Sequence, residues 1–110
     1  MTSITHFDPN HWHGEWEGLG SGSGVSLIFV TTEDIGYGPG IHRHPYPETF
    51  VVLSGRAMFL LGANEFVAVA GDVVVVPAGS AHKFENLGPE RLQMTNIHSS
   101  PNFITEWLEQ

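Results

Sequence analysis

The chain has no cysteine and few basic residues. Without cysteine, disulfide bonds and thiolate metal ligands are excluded, so any metal site must use nitrogen and oxygen ligands. Only four Lys and Arg residues accompany twelve Asp and Glu residues, which gives a net charge of −8. Because a surface this acidic repels phosphate backbones and anionic membranes, we expect neither a nucleic-acid partner nor a membrane partner.

Long apolar runs are also missing. No stretch approaches the roughly 18–20 apolar residues that a membrane-spanning helix needs. Residues 1–10 are polar and lack the basic and apolar stretches of a signal peptide, so we expect a cytoplasmic protein. A chain of 110 residues has the size of one domain and buries only about two-thirds of its unfolded surface. We therefore expect a homodimer, which buries more.

Two regions differ in composition. Residues 1–24 mix aromatic and polar residues and end in a Gly- and Ser-rich stretch. This composition predicts an N-terminal arm that packs on the main domain, a β-barrel in the fold prediction below, or on a dimer partner. Residues 25–110 are predicted to form a single β domain, because short apolar stretches alternate with turn residues every 8–12 positions or so. The predicted strands cover residues 25–32, 48–53, 56–61, 65–70, 72–76, 82–86 and 91–98.

Three local patterns refine this prediction. The run of four valines at residues 73–76 predicts a strand buried on both faces. Ser54 and Gly55 separate two strand-like stretches and predict a tight hairpin, and residues 62–64 predict a second one. A short helix over residues 101–108 is an option at the C-terminal end, with Trp107 packing on the barrel.

A cluster of metal-ligating residues begins at His42. Side chains two apart in an extended chain share a face, so His42 and His44 can converge on one point. Two prolines then form a rigid connection to Glu48, which begins the next strand. His82 begins a later strand, after a turn at residues 77–79. Three imidazoles and one carboxylate suit one divalent metal ion, which can be iron, manganese, nickel, copper or zinc.

These two stretches resemble the two conserved motifs of the cupin superfamily, G-x5-H-x-H-x3-E-x6-G and G-x5-P-x-G-x2-H-x3-N. The positions that match are Gly36, His42, His44, Glu48, Gly55, Gly71, Pro77, Gly79, His82 and Asn86. The resemblance implies an all-β fold, the double-stranded β-helix or jelly-roll-like barrel. It also implies a metal in the barrel mouth, held by the three matching histidines and Glu48, with two coordination positions left for water, substrate or dioxygen.

The alternation of strand residues suggests what else faces the metal. The residues predicted to line the pocket are Tyr46, Phe50, Val52 and Phe84. Tyr46 either contacts the substrate or packs on the barrel rim. Arg43 and Lys83 each stand next to a ligand, and the same alternation points them outward. We therefore expect few cations inside the barrel, and a substrate that is neutral or chelates the metal through its own oxygens.

Two residues of the last predicted strand remain open. Asn96 is one of several candidates for the deeper pocket, but the register of its strand is not given by the sequence. His98 either lines the barrel mouth or ends the strand, and the second reading is favoured.

The function that this resemblance implies is a small-molecule enzyme with a mononuclear metal. Two mechanisms fit, a dioxygenase that cleaves a carbon–carbon bond and a Lewis-acid isomerase, lyase or decarboxylase. Glu48 is a possible acid or base in either mechanism. The alternative is a cupin that binds or senses a small molecule without turning it over.

Overall fold

The fold is built almost entirely from antiparallel β-strands. The computed structural model describes residues 2–109, and no helix among them is long and apolar enough to cross a membrane. The strands are β1 (Gly14–Trp16), β2 (Ser26–Thr32), β3 (His42–Arg43), β4 (Glu48–Ser54), β5 (Arg56–Leu61), β6 (Asn64–Val69), β7 (Val73–Val76), β8 (His82–Asn86), β9 (Leu92–His98) and β10 (Glu106–Trp107). All seven predicted strands are present, within one residue of their predicted bounds.

The strands form two five-stranded sheets whose inner faces meet. One sheet has the order β1-β2-β9-β4-β7, and the other has the order β10-β3-β8-β5-β6. Strands that are distant in the chain are neighbours in each sheet, since β9 lies between β2 and β4. This is the predicted double-stranded β-helix, and the all-β prediction is confirmed.

The core lies between the two inner faces. Phe50 on β4 and Phe59 on β5 contact each other edge to face, with ring centroids 5.0 Å apart, and so join the two sheets. Val52, Leu92 and Met94 are fully buried in the same cluster. Burial of each large apolar side chain contributes about 1.5–3 kcal/mol. This cluster forms the apolar interior of the barrel.

Strand β7 differs from its predicted environment. Val74 and Val76 face the core, but Val73 and Val75 are 61% and 57% exposed. β7 is the edge strand of its sheet and pairs with β4 alone, and residues 2–109 leave its outer face uncovered. The prediction of burial on both faces is wrong, because a valine run indicates strand propensity and not the number of packed layers.

The link between β4 and β5 is also different from its prediction. Ser54 ends a strand of one sheet and Arg56 begins a strand of the other, so the pair is not a hairpin. Gly55 makes this crossing with φ of +76°, and a side chain there would meet the Arg91 carbonyl oxygen at 2.6 Å. The second predicted hairpin is confirmed, since β5 and β6 pair up to Leu61 and Asn64.

The N-terminal segment lies against the outer face of the first sheet. β1 pairs with β2 and extends the sheet by one strand. Phe7 contacts Phe29 of β2 edge to face at 5.0 Å between ring centroids, and Trp12 contacts it with tilted rings at 4.1 Å. Trp12 Nε1 also donates a hydrogen bond to Thr95 Oγ1 at 3.1 Å. Trp12 therefore covers the barrel of its own chain.

The C-terminal segment is not helical. Glu106 and Trp107 form β10, which pairs with Arg43 and His42 of the short strand β3. The option of a helix over residues 101–108 is wrong, because the backbone groups of β3 are free to pair with an extended chain. This pairing brings the end of the chain to the predicted ligands.

Candidate metal centre

The four predicted ligands come from both sheets and meet at one end of the barrel. His42 on β3 pairs directly with His82 on β8, His44 follows β3, and Glu48 begins β4 in the other sheet. Their side chains are buried, and one ligand atom of each lies within 4.8 Å of the other three. The cluster could hold a metal ion through nitrogen and oxygen ligands.

Backbone carbonyls fix the tautomer of each of the three histidines. Each ring places Nδ1 at hydrogen-bond distance from a carbonyl oxygen, which can only accept. The acceptors are Gly40 for His42 at 2.8 Å, Ile104 for His44 at 2.8 Å, and Ser80 for His82 at 2.9 Å. Nδ1 therefore carries the hydrogen, and in the neutral ring Nε2 presents a lone pair. This is the arrangement in which histidine binds a metal.

The contacts of Glu48 test whether a metal fits here. Its Oε1 lies 3.1 Å from Nε2 of His44 and 3.2 Å from Nε2 of His82. In the neutral rings the two Nε2 lone pairs face an anionic oxygen, which is unfavourable, and a bound cation would turn this repulsion into attraction. Nε2 of His44 has no aligned hydrogen-bond partner among residues 2–109, although it is buried. The donor set therefore fits a divalent metal.

The electrostatics of the site favour a ligand role for Glu48. Burial raises the pKa of Glu48, but its contacts with His44, His82 and His98 outweigh burial and hold that pKa well below its usual value. Burial lowers the pKa of His42, and the neighbouring His82 and His44 lower it further. Burial lowers the pKa of His44 as well, but its contact with Glu48 outweighs burial and raises that pKa, so a proton on Nε2 of His44 competes with a metal for the space beside Oε1.

His98 lies in the site, which is the reading that the sequence analysis did not favour. It is 2% exposed, its Nε2 lies 3.1 Å from Glu48 Oε2, and its ring centroid lies 4.7 Å from that of His44. The reading of His98 as a mere strand end is wrong, because β9 pairs with β4 and sets His98 directly opposite Glu48. The available signal was the alternation of β9, which puts Asn96 and His98 on one face.

A cavity of about 350 Å³ opens beside three of the four ligands, His42, His44 and Glu48. Phe50 and Phe84 line it, as the alternation of their strands predicts. Phe103, Thr105 and Trp107 also line it, and the sequence prediction did not include them in the pocket. The only sequence signal was the aromatic character of Phe103 and Trp107, because the pairing of this segment with β3 cannot be read from the local sequence. The C-terminal segment thus forms part of the wall beside the metal centre.

Two predicted pocket residues lie elsewhere. Val52 shares the inner face of β4 with Glu48 but lies four residues further along, roughly 13 Å deeper, in the apolar core. Tyr46 is buried behind the ligands, with its ring stacked on His44 at 5.1 Å and its hydroxyl 2.7 Å from His98 Nδ1. Neither side chain lines the cavity, because the first is too deep and the second turns toward His98.

The two cations beside the ligands point outward, as predicted. The Arg43 guanidinium pairs with Glu106 at 2.8 Å, and the Lys83 ammonium pairs with Glu109 at 3.2 Å. Both pairs are on the exposed side of the second sheet, where water weakens them.

A larger cleft of about 500 Å³ lies outside the barrel, between the N-terminal segment and β2. Aromatic side chains such as Trp12, Trp16 and Phe29 line it. The cluster of metal-ligating residues found among residues 2–109 is beside the smaller cavity, so the chemistry belongs there.

Fold and site together define a β-barrel with a three-histidine, one-carboxylate cluster at its mouth. The family model described as "Cupin domain" matches residues 28–98, which is more than half of the chain and includes all four clustered residues. The chain belongs to the cupin family.

Three curated relatives share part of this sequence. An uncharacterized protein of Streptomyces coelicolor is 40% identical over 58 residues, covering 53% of this chain and 54% of that protein. Auxin-binding protein 1 of Arabidopsis thaliana is 35% identical over 83 residues, which cover 67% of this chain and 42% of that protein. Polyketide synthase CurC of Streptomyces cyaneus is 38% identical over 61 residues, which cover 54% of this chain and 39% of that protein. The chain thus spans about half or less of the length of these relatives.

Solved structures of similar fold include oxalate decarboxylases. An oxalate decarboxylase structure that concerns the substrate binding mode aligns with a TM-score of 0.75 and 26% identity. The alignment covers 86% of this chain and 27% of that chain. Bacillus subtilis oxalate decarboxylase at pH 4.6 aligns with a TM-score of 0.71 and 28% identity, and the alignment covers 81% of this chain and 25% of that chain. A double-stranded β-helix protein from Klebsiella pneumoniae aligns with a TM-score of 0.70 and 23% identity, covering 78% and 71%, which supports the fold alone.

Proposed function

We propose that this cupin is a metal-dependent enzyme that acts on a small molecule with chelating oxygens. The observation that carries the proposal is that Nε2 of two histidines lies within 3.2 Å of Glu48 Oε1, at the side of a cavity of about 350 Å³. A divalent metal bound there would supply Lewis acidity and, for a redox-active ion, a place for dioxygen. The chain would hold it with His42, His44, Glu48 and His82.

The charge of the cavity supports a substrate that is held by the metal. The two charged residues in its lining are both acidic, Glu15 and Glu48. Apolar side chains such as Phe50 and Phe84 form much of the remaining wall and exclude water from the site. A substrate that carries negative charge must therefore place its oxygens on the metal, because no Lys or Arg among residues 2–109 lines this cavity.

Asn96 supports a second polar contact with the substrate. Its side chain lines the cavity and is 2% exposed, and its Oδ1 has no hydrogen-bond partner among residues 2–109. An unpartnered buried amide costs stability, so its presence in an apolar wall favours a binding role. We propose that Asn96 binds a polar group of the substrate at a distance from the metal.

Within this proposal, decarboxylation is one candidate reaction and oxygenation is the other. Similarity to oxalate decarboxylases at 26% and 28% identity favours the first, although this chain spans about a quarter of those chains. The apolar wall and the space beside the ligands suit the second equally well. A non-catalytic binding protein is the competing function, and the similarity to auxin-binding protein 1 favours it.

Turnover by protein of defined metal content tests the proposal. Protein purified without chelator is analysed for metal, loaded with Fe²⁺, Mn²⁺ or Zn²⁺, and given oxalate, diketones or catechols. Oxygen uptake would identify a dioxygenase, and carbon dioxide release without oxygen uptake would identify a decarboxylase. Activity should be absent in His42→Ala and retained in Arg43→Ala, whose side chain points away from the site. Tight binding of these compounds without turnover, with every metal, would favour the binding function instead.

We also propose that two copies of the chain pair through the outer face of β4 and β7. Val51, Leu53, Val73 and Val75 point outward there, and three of them are more than half exposed. The face carries no charged side chain, so two copies with a net charge of −8 can approach there without close repulsion. Light scattering at micromolar concentration should give a dimer that Val75→Glu converts to a monomer. A monomeric mass for the unmodified chain would contradict the pairing.

A further inference from the structure

We propose that His98 is a positioning residue that holds Glu48 in place for the metal, and that Tyr46 fixes the tautomer of His98. The inference rests on the proposed metal-binding function and assigns a role to two buried side chains outside the four clustered residues. Three steps support it: the hydrogen bonds of Tyr46, the contact of His98 with Glu48, and the packing that fixes both rings.

The hydroxyl of Tyr46 determines which nitrogen of His98 carries a hydrogen. Tyr46 accepts a hydrogen bond from the backbone N–H of Ile104 at 3.2 Å. Its own hydrogen needs an acceptor, and Nδ1 of His98 lies 2.7 Å from the hydroxyl oxygen. When Tyr46 donates to Nδ1, the hydrogen of the neutral His98 ring is on Nε2. His98 is therefore the opposite tautomer to His42, His44 and His82.

This tautomer makes His98 a donor rather than a ligand. Its Nε2–H faces Glu48 Oε2 at 3.1 Å, off the axis of an ideal hydrogen bond but close enough for strong attraction to the carboxylate. The other oxygen of Glu48, Oε1, is the one that faces Nε2 of His44 and His82. The two oxygens thus have separate partners. His98 occupies Oε2 and leaves Oε1 to the metal.

Packing restricts both rings to this arrangement. Phe103 contacts the His98 ring edge to face, at 4.9 Å and 88°. Tyr46 stacks on His44 with ring planes 11° apart, so one side chain orients both a ligand and the residue behind Glu48. Outer partners of metal ligands commonly change metal affinity by about 10–100-fold. We expect an effect of that size for His98.

Titration with Co²⁺ alone, followed by calorimetry and by its visible absorption, tests the role of His98 without any substrate. His98→Leu should weaken Co²⁺ binding about 10–100-fold, at an unchanged stoichiometry. The side-chain amide of His98→Gln can still donate to Glu48, so this variant should recover most of the affinity. Tyr46→Phe removes the hydroxyl that fixes the tautomer and should weaken binding less than His98→Leu does. His6→Leu, which changes a histidine of the cleft outside the barrel, is the matched control.

The absorption spectrum separates a positioning role from a ligand role. Co²⁺ absorption depends on coordination geometry, so His98→Gln should keep the spectrum of the unmodified protein. If His98→Gln binds Co²⁺ as poorly as His42→Ala, or shifts the spectrum, His98 is a ligand and the inference is wrong. If folded His98→Leu binds with unchanged affinity, the inference fails while the metal function stands. If the unmodified chain binds no metal, the proposed function fails and the inference fails with it.

Discussion

The two ends of the barrel interior are built from the same strands and carry opposite chemistry. On β9, the inner face begins with Leu92 and Met94, both fully buried in the apolar core. The same face ends with Asn96 and His98, which are equally buried but polar. β4 runs in the other direction and repeats the pattern, from Glu48 at the polar end to the core.

This difference separates the source of stability from the source of function. The apolar end consists of buried apolar side chains, as an ordinary core does. The polar end contains buried polar side chains, which a core normally excludes. Nε2 of His44 and Oδ1 of Asn96 are buried without aligned hydrogen-bond partners among residues 2–109. Such groups reduce stability in the free protein, and a ligand that partners them restores it. Substitutions at the two ends should therefore affect different measurements.

The largest expected change in stability belongs to the apolar end. Met94→Ala should lower the free energy of unfolding by about 2–5 kcal/mol, since a fully buried side chain leaves a cavity. Urea denaturation measures this change, and calorimetry should find metal affinity unaltered in the folded variant. The matched control is Gln93→Ala on the outer face of β9, with an expected change under about 0.5 kcal/mol. Loss of metal affinity in Met94→Ala would show that the two ends are coupled.

Metal should stabilise the protein through the polar end alone. At a Zn²⁺ concentration 100 times the dissociation constant, the free energy of unfolding should rise by about 2.7 kcal/mol. A chelator should reverse the rise, and His82→Ala should show none, because it removes one of the clustered ligands. Thermal unfolding with and without Zn²⁺ measures both effects. An equal rise in His82→Ala would mean that Zn²⁺ binds elsewhere.

A smaller effect, with the opposite sign to ordinary core substitutions, is expected at Asn96. Asn96→Leu removes a buried amide whose oxygen has no partner and should raise the free energy of unfolding by about 1 kcal/mol. Asn86 is the matched control, because its amide donates to Asp34 and accepts from Gly88, so Asn86→Leu should destabilise the fold. Destabilisation by Asn96→Leu, measured by urea denaturation, would contradict a binding role for this amide.

The smallest effect is expected outside the barrel. Arg43→Ala breaks an exposed ion pair with Glu106 next to the ligand His42. Because water and salt screen this pair, the unfolding midpoint and the metal affinity should both stay within measurement error. A clear loss of metal affinity would show that this ion pair holds β10, and with it Trp107, beside the site.

The parts of the site that local spacing defines could be predicted from the sequence. Alternation puts His42 and His44 on one face, and the resemblance of the two turn-and-strand units to the cupin motifs adds Glu48 and His82. The outward direction of Arg43 follows from the same rule. These predictions needed no knowledge of which strands pair.

The remaining features depend on contacts between distant segments. His98 reaches Glu48 because β9 pairs with β4, some fifty residues away in the chain, and no local pattern sets that register. Trp107 lies beside His42 because β10 pairs with β3, which overrode a segment that local sequence left compatible with a helix. The exposure of Val73 and Val75 likewise depends on whether another segment packs on that face of β7, which the valine run does not reveal. Pairing partners, and not residue types, were the missing information.

The central claim is that His42, His44, Glu48 and His82 together hold one divalent metal ion. Calorimetric titration of the chelator-treated protein with Zn²⁺ tests it most directly, with the four single alanine variants measured in parallel. We predict one ion per chain and a loss of affinity in every variant that exceeds the roughly 100-fold effect of outer partners. Absence of binding, or binding that persists unchanged in Glu48→Ala and His82→Ala, would contradict the claim.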